Sequence, residues 1–218
     1  VLTVAMDAAD TERCLALFAK VELEFCSVDV LVNNAGIHSR GNLETVSPSD
    51  VGAMVDINLR APMMLSCAAI PYLRRAGGGA IVMLGSLAGM APLQGAATYS
   101  GTKAGLRAFA YALADEMRDS DIYVGVVSPG PIDTGFIMDE IDNVEDIVFS
   151  QPMSTADAVA DAVLSIAAGD RLEIPMPAAS GILMNLAYFF PWLRRYLRPK
   201  LYAKGLKNKN KYRNRQIN

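Results

Sequence analysis

Three short apolar runs, Val28 to Val32, Ala80 to Leu84 and Ile122 to Ser128, constrain the fold more than any other feature of the sequence. Runs this short are too brief for core helices and read as strands buried on both faces. Longer segments with helical periodicity separate them: Thr11 to Phe25, Ser49 to Arg75 entered through Ser47-Pro48, and Ala97 to about Ser120. Gly77-Gly78-Gly79 and Pro129-Gly130-Pro131 punctuate the pattern as turns. Val1 to Ala5 predicts a further strand, Ser154-Thr155 caps an amphipathic helix reaching Ala168, and Glu173-Ile174 predicts a last short strand. Such alternation specifies an α/β fold whose parallel sheet is covered on both faces. A chain of 218 residues, 52% of them apolar, can bury one core of that kind.

The chemistry-bearing residues fall where such strands end. Ser86 follows Ala80 to Leu84, and Asn33-Asn34-Ala35-Gly36 follows Val28 to Val32, so both groups belong to the carboxyl edge of the sheet, where open α/β sheets bind ligands. The small residues there allow a flat ligand close to the backbone. In the helix from Ala97, Lys103 lies four residues after Tyr99 and hence on the same face. An ammonium beside the phenol is expected to favour the phenolate and bring Tyr99 toward a value useful for acid-base work. Asn58 lies within a helix among apolar neighbours, a poor site by propensity, which points to a functional reason for a local irregularity. His38, the only histidine, follows the Asn-Asn-Ala-Gly turn, where it either lines the pocket or, as expected of a loop histidine, faces solvent; a Ser-His-Asp triad does not fit a single histidine so placed. Cys14, Cys26 and Cys67 are scattered and odd in number; they are expected as buried free thiols, with no metal site.

Taken together, Asn33-Asn34-Ala35-Gly36, Asn58, Ser86, Tyr99 with Lys103, and Pro129-Gly130 with Ile132 and Thr134 resemble the short-chain dehydrogenase/reductase family, from Val1 to about Pro175. The resemblance implies a doubly wound, Rossmann-like sheet and a nicotinamide cofactor, NAD or NADP. It implies Tyr99 as general acid or base, Lys103 as its modifier and ribose ligand, Ser86 as substrate hydrogen-bonder, and Asn58 as holder of a proton-relay water. Asp7 would lie near the adenine, Asn34, Ala35 and Gly36 beside the cofactor, and Pro129, Gly130, Ile132 and Thr134 at the nicotinamide amide. Long helices 49–75 and 97–120 would pack between subunits of a homodimer or homotetramer. One element of the family's pattern is missing: no Thr-Gly-x-x-x-Gly-x-Gly loop occurs. In a dinucleotide fold that turn cradles the pyrophosphate. The chain therefore reads as a domain lacking its first strands and glycine-rich loop, an N-terminally truncated form. Residues 1–175 are expected to form this partial domain and 176–218 a separate apolar segment and tail.

Leu87, Met90, Leu93, Phe136, Ile137 and Met138 predict an apolar wall for a lipophilic carbonyl or alcohol substrate. Beyond them the charge divides sharply. All twenty-three acidic residues lie at or before Glu173, and ten of the twenty basic ones lie from Arg194 onward. The preceding stretch, Gly181 to Leu193, is apolar and aromatic but too short to span a bilayer. Two readings stand: an interfacial anchor binding an anionic membrane with the polybasic run, or a pocket lid followed by a solvated, disordered tail. No recognisable module predicts nucleic-acid binding. No secretory n-region is evident, so the expected location is cytoplasmic, peripheral at a membrane if the anchor operates. Two function classes follow: an oxidoreductase on an apolar carbonyl or alcohol, or a non-catalytic fragment that binds at a membrane surface.

Overall fold

A computed structural model describes residues 1–217. Four strands form one parallel sheet in sequential order: β1 (Val30–Asn33), β2 (Gly79–Leu84), β3 (Ile122–Pro129) and β4 (Glu173–Met176). Side chains alternate across a strand, and β2 shows the consequence. Ile81 and Met83 meet Phe18, Ala69, Leu73, Leu106 and Ala110 on one face, while Val82 and Leu84 meet Val159, Ala162 and Ile166 on the other. The first face is covered by α1 (Thr11–Phe25), α3 (Ala61–Ala76) and α5 (Ala97–Glu116), the second by α7 (Ala156–Ala167). The doubly wound, Rossmann-like α/β architecture expected from the alternation is thus present in a reduced, four-stranded form.

Local chemistry sets the helix ends. The Asp10 carboxylate accepts from the Arg13 N–H to start α1, and Cys26 ends it in the left-handed region. Ser47 caps α2 (Pro48–Val55), with Pro48 in the first turn where its missing N–H costs nothing. Thr155 caps α7. The stretch expected as one helix from Ser49 to Arg75 is α2, a π-helical turn at Asp56–Arg60, and α3, closed by Gly77 at φ 88°. Residues 48–76 are apolar and long enough to cross a membrane by length and composition. About a third of that apolar window is buried: Ser66, Ala69 and Leu73 are fully enclosed, and Ala69 and Leu73 lie in the core beside β2.

Three expectations are corrected. Val1 to Ala5 forms no strand: β1 is the edge of the sheet and pairs only with β2, so no ladder partner lies beside those five residues. Of the cysteines only Cys14 is buried; Cys26 and Cys67 are exposed free thiols, because they sit on the outer sides of helix termini and helix faces rather than in the core. The basic tail is not a solvated coil. After α4 (Leu87–Met90), α6 (Gly135–Met138) and α8 (Ala178–Phe189), the chain continues as a long helix, α9 (Pro191–Ile217). It docks on the acidic segment 139–150. Lys209 donates to Val144 O at 2.6 Å and pairs with Asp146 at 3.1 Å, Arg213 pairs with Asp142, and Tyr202 donates to Glu145 at 3.1 Å. The charge division seen in the sequence is in part this intramolecular complementarity. Gly205 permits the approach, since a Cβ there would collide with the Asp146 carbonyl oxygen.

Candidate active site

At the carboxyl edge of the sheet a cavity of about 1040 Å³ opens between the strand ends and helices α7 to α9. Ser86 stands two residues beyond β2 and caps α4, its hydroxyl accepting from the Ala88 N–H at 3.1 Å. It lines the cavity with Tyr99 and acts to lower the pKa of that phenol. Tyr99 and Lys103 share the cavity-facing side of α5, as the four-residue spacing predicts.

Their electrostatics differ from expectation. The Lys103 ammonium donates to Leu84 O at 2.7 Å and lies 5.8 Å from the Tyr99 ring centroid, so it serves the strand end rather than the phenol. Burial lowers its pKa from 10.5 to about 8. Burial raises the Tyr99 pKa above the ordinary phenol value, opposed by the Ser86 hydrogen bond and the Arg40 charge. Desolvation outweighs Ser86 and the one cation that acts on it, Arg40, and Tyr99 is a protonated phenol at neutral pH, not the favoured phenolate expected from the Tyr-Lys spacing.

Asn58 is fully buried in the π-helical turn, the irregularity its placement predicts. Its Oδ1 accepts from Ile37 N–H and its Nδ2 donates to Ile37 O, both at 2.8 Å. The side chain thereby clamps the loop after β1. Gly36 lies beneath that clamp; a Cβ would stand 3.2 Å from Asn58 Oδ1 and 3.6 Å from Lys103 Nζ, tight enough to press on both.

Asn34, Ala35, Gly36, Pro129, Gly130, Ile132 and Thr134 all line the cavity, as do Leu87, Leu93, Phe136 and Ile137. Met90 and Met138 do not: Met90 is 3% exposed beneath α8, where its methyl approaches Gly181, and Met138 packs against the cluster of Ile137, Ile141, Val144 and Phe149. Asp7 is not brought to the cavity; its carboxylate accepts from the Ala9 N–H at 2.8 Å. The strand-end residues singled out in the sequence, Asp7 excepted, are therefore together at one cavity, with a backbone-hugging glycine and a buried ammonium.

Two residues join the site in ways the sequence left open or did not signal. His38 stacks on Tyr99 at 4.2 Å with 15° between the rings, correcting its expected solvent-facing place. Its Nδ1 accepts from Arg40 Nη1 at 2.9 Å, because a guanidinium can only donate, which leaves the proton on Nε2. Burial first and the Arg40 charge second lower its pKa to about 4. Arg40 itself bonds Glu140 at 2.9 Å and Phe136 O at 2.7 Å, tying the loop after β1 to α6. Nothing local in the sequence signals a contact spanning 96 residues. The inner faces of α8 and α9, through Leu183, Met184, Ala187, Leu193, Leu197 and Leu201, complete an apolar roof.

The sequence pattern of the family described as short chain dehydrogenase matches residues 1–145. Among curated proteins, the chain is 33% identical over 132 residues to nodulation protein G of Azospirillum brasilense, covering 61% of this chain and 54% of that protein. It is 29% identical over 200 residues to oxidoreductase BOA17 of Botryotinia fuckeliana, covering 91% and 72%. It is 31% identical over 140 residues to the 3-oxoacyl-[acyl-carrier-protein] reductase FabG of Chlamydia muridarum, covering 64% and 56%. The chain thus spans little more than half the length of several relatives. The order of strands, the strand-end cavity and this match over two thirds of the sequence agree, and the chain belongs to the short-chain dehydrogenase/reductase family.

Proposed function

We propose that this chain carries the acid-base site of an NAD- or NADP-dependent oxidoreductase acting on a lipophilic carbonyl or alcohol. The observation that carries the reading is the convergence of Ser86, Tyr99 and the buried Lys103 ammonium on the wall of one largely apolar cavity at the strand edge. A bound nicotinamide would supply or accept the hydride; Gly36, Lys103, Pro129, Gly130, Ile132 and Thr134 are the residues that would hold it.

In the reducing direction Tyr99, protonated at neutral pH, donates its proton to the substrate oxygen while the Ser86 hydroxyl donates a second hydrogen bond to it. The reverse reaction returns the proton to the phenolate. Ser86 and the Arg40 charge stabilise that phenolate, both acting to lower the Tyr99 pKa against burial. Asn58 keeps the loop at Ile37 in register, and general acid-base assistance of this kind is worth about 10²- to 10⁴-fold. A carbonyl substrate is in keeping with relatives named as a ketoacyl reductase from Nostoc and a 3-oxoacyl reductase from Chlamydia. The same reading includes a homodimer or homotetramer, a cytoplasmic place, and peripheral contact with an anionic membrane through residues 181–193 and the basic run beyond.

Titration of the 218-residue chain with NADH and NADPH, followed by nicotinamide fluorescence, tests it together with consumption of the bound cofactor by long-chain ketones. Saturable binding and ketone-dependent oxidation are expected. Saturable binding without turnover of any carbonyl or alcohol would favour the second reading, a non-catalytic binding protein.

A further inference from the structure

Helices α8 and α9 have two faces with different surroundings. Inward, Leu183, Met184 and Ala187 of α8, with Leu193, Leu197 and Leu201 of α9, roof the cavity. Outward, Ile182 is 67% exposed, Phe189 75%, Trp192 66% and Tyr196 68%. That aromatic patch runs directly into Lys200, Lys204, Lys207 and Lys211, all exposed and spaced three or four residues apart, hence on one stripe of α9. Lys200 lies 5.8 Å from the Tyr196 ring, joining the two parts. The basic residues that meet the acidic segment are others: among the described residues, the ion pairs of α9 are made by Lys209 and Arg213. The lysine stripe is left facing outward.

We propose that this outward face seats on an anionic lipid surface and that, because its reverse is the roof of the cavity, lipophilic substrate enters from the lipid phase. The second half rests on the reading of the cavity as the substrate site. The geometry favours lying on a membrane over crossing it. Twelve residues of α8 extend about 18 Å at the usual helical rise, against roughly 30 Å of hydrocarbon. Tyr and Trp, apolar in body and polar at the tip, suit the headgroup boundary. A lysine stripe argues against a protein partner, since interface cores are depleted of lysine, and matches anionic headgroups instead. Each lysine near such a surface is worth roughly fivefold in partitioning, so four give on the order of several hundredfold if they add. With a net charge of −3, the chain as a whole would not be drawn there; the stripe must do it locally.

Trp192 is the only tryptophan and stands in the patch, so its fluorescence reports the contact directly. The test mixes the full chain with phosphatidylcholine vesicles with and without phosphatidylglycerol. Expected are a blue shift and quenching by brominated lipid only with phosphatidylglycerol, and a loss of affinity of at least about 25-fold in Lys204→Glu/Lys207→Glu, since two lysines at roughly fivefold each are removed and their charge reversed. A pyrene-labelled fatty ketone preloaded in the vesicles should then transfer to the wild-type chain faster from anionic than from neutral vesicles. The double variant should lose that gain while binding ketone added in ethanol as the parent does. No Trp192 response to anionic vesicles overturns the docking, and so does an equal response to neutral ones. A concentration-dependent blue shift without vesicles, with self-association in sedimentation, would make the face a contact between copies and also overturn it. Docking without faster transfer overturns lipid-phase entry. Failure to bind the ketone in either form, with docking intact, would instead reject the substrate reading of the cavity.

Discussion

At the strand edge, Asn58 and Lys103 spend their polar groups on backbone atoms within 2.8 Å and are almost entirely enclosed. In α9 the fastening is of another kind: Lys209 and Arg213 reach an acidic segment, while aromatic residues of α8 and α9 remain turned outward. The first region is held by buried groups whose loss has no substitute in water. The second combines one buried ammonium, Lys209, with the Arg213–Asp142 pair at the surface, where solvent and salt compete. The difference teaches that the cavity wall is fastened wholly from inside, while the roof over it shares its fastening between a buried cation and a solvent-screened one.

The sharpest way to break this contrast is Tyr99→Phe, which keeps the ring and its stacking on His38 but removes the proton. Turnover should fall by about 10²- to 10⁴-fold with nicotinamide binding unchanged; steady-state rates beside a fluorescence titration decide it, and retained turnover would remove Tyr99 from the site.

The pH dependence of stability comes next. Folded, His38 titrates near 4 rather than 6.5, so as pH falls the unfolded chain takes up the proton first. Stability is therefore present in full above pH 6.5 and is lost progressively down to 4, by roughly 3 kcal/mol. Urea unfolding across that window should show a slope that His38→Phe flattens, with carboxylates titrating equally in both chains. Parallel curves would mean the imidazole is not enclosed. Lys103 acts over a different window. Its folded pKa of about 8 lies below the ordinary 10.5, so the cost of burying the ammonium is relieved as pH rises from about 8 to 10.5.

Asn58→Ala should cost about 2–3 kcal/mol, because both backbone groups of Ile37 lose their partners in a closed space. A loss no larger than about 0.5 kcal/mol, typical of surface changes, would show that the clamp is not rigid. Lys209→Met keeps the aliphatic stem but drops the contacts to Val144 O and Asp146, and should cost about 1.5 kcal/mol. Hydrogen exchange should then rise in α9 while β2 and α5 stay protected; equal change in both would dissolve the distinction between wall and roof.

Much of the wall was legible because its signals are local. Ser86 follows a recognisable strand, Tyr99 and Lys103 are four apart on a helix, and Asn58 breaks helical propensity where the helix widens into a π turn. The charge of Lys103 misled, since spacing predicts which face a side chain shares but not which acceptor it finds; Leu84 O lay nearer in the folded chain. His38 and Arg40 carry no local mark, and their roles depend on Glu140 and Phe136, about a hundred residues away. Of the two readings of the tail, the solvated coil weighs its charges alone. Against an acidic segment they stabilise a helix.

By itself the sequence determined the α/β alternation, the strand-end site and the family, because apolar periodicity, turns and i,i+4 spacing are properties of neighbours along the chain. Only the tertiary structure decided the absence of a first strand at Val1 to Ala5, the enclosure that raises the Tyr99 pKa, the seat of His38 and the docking of α9. Each of these depends on desolvation or on partners distant in sequence, and neither quantity exists until the chain has closed on itself.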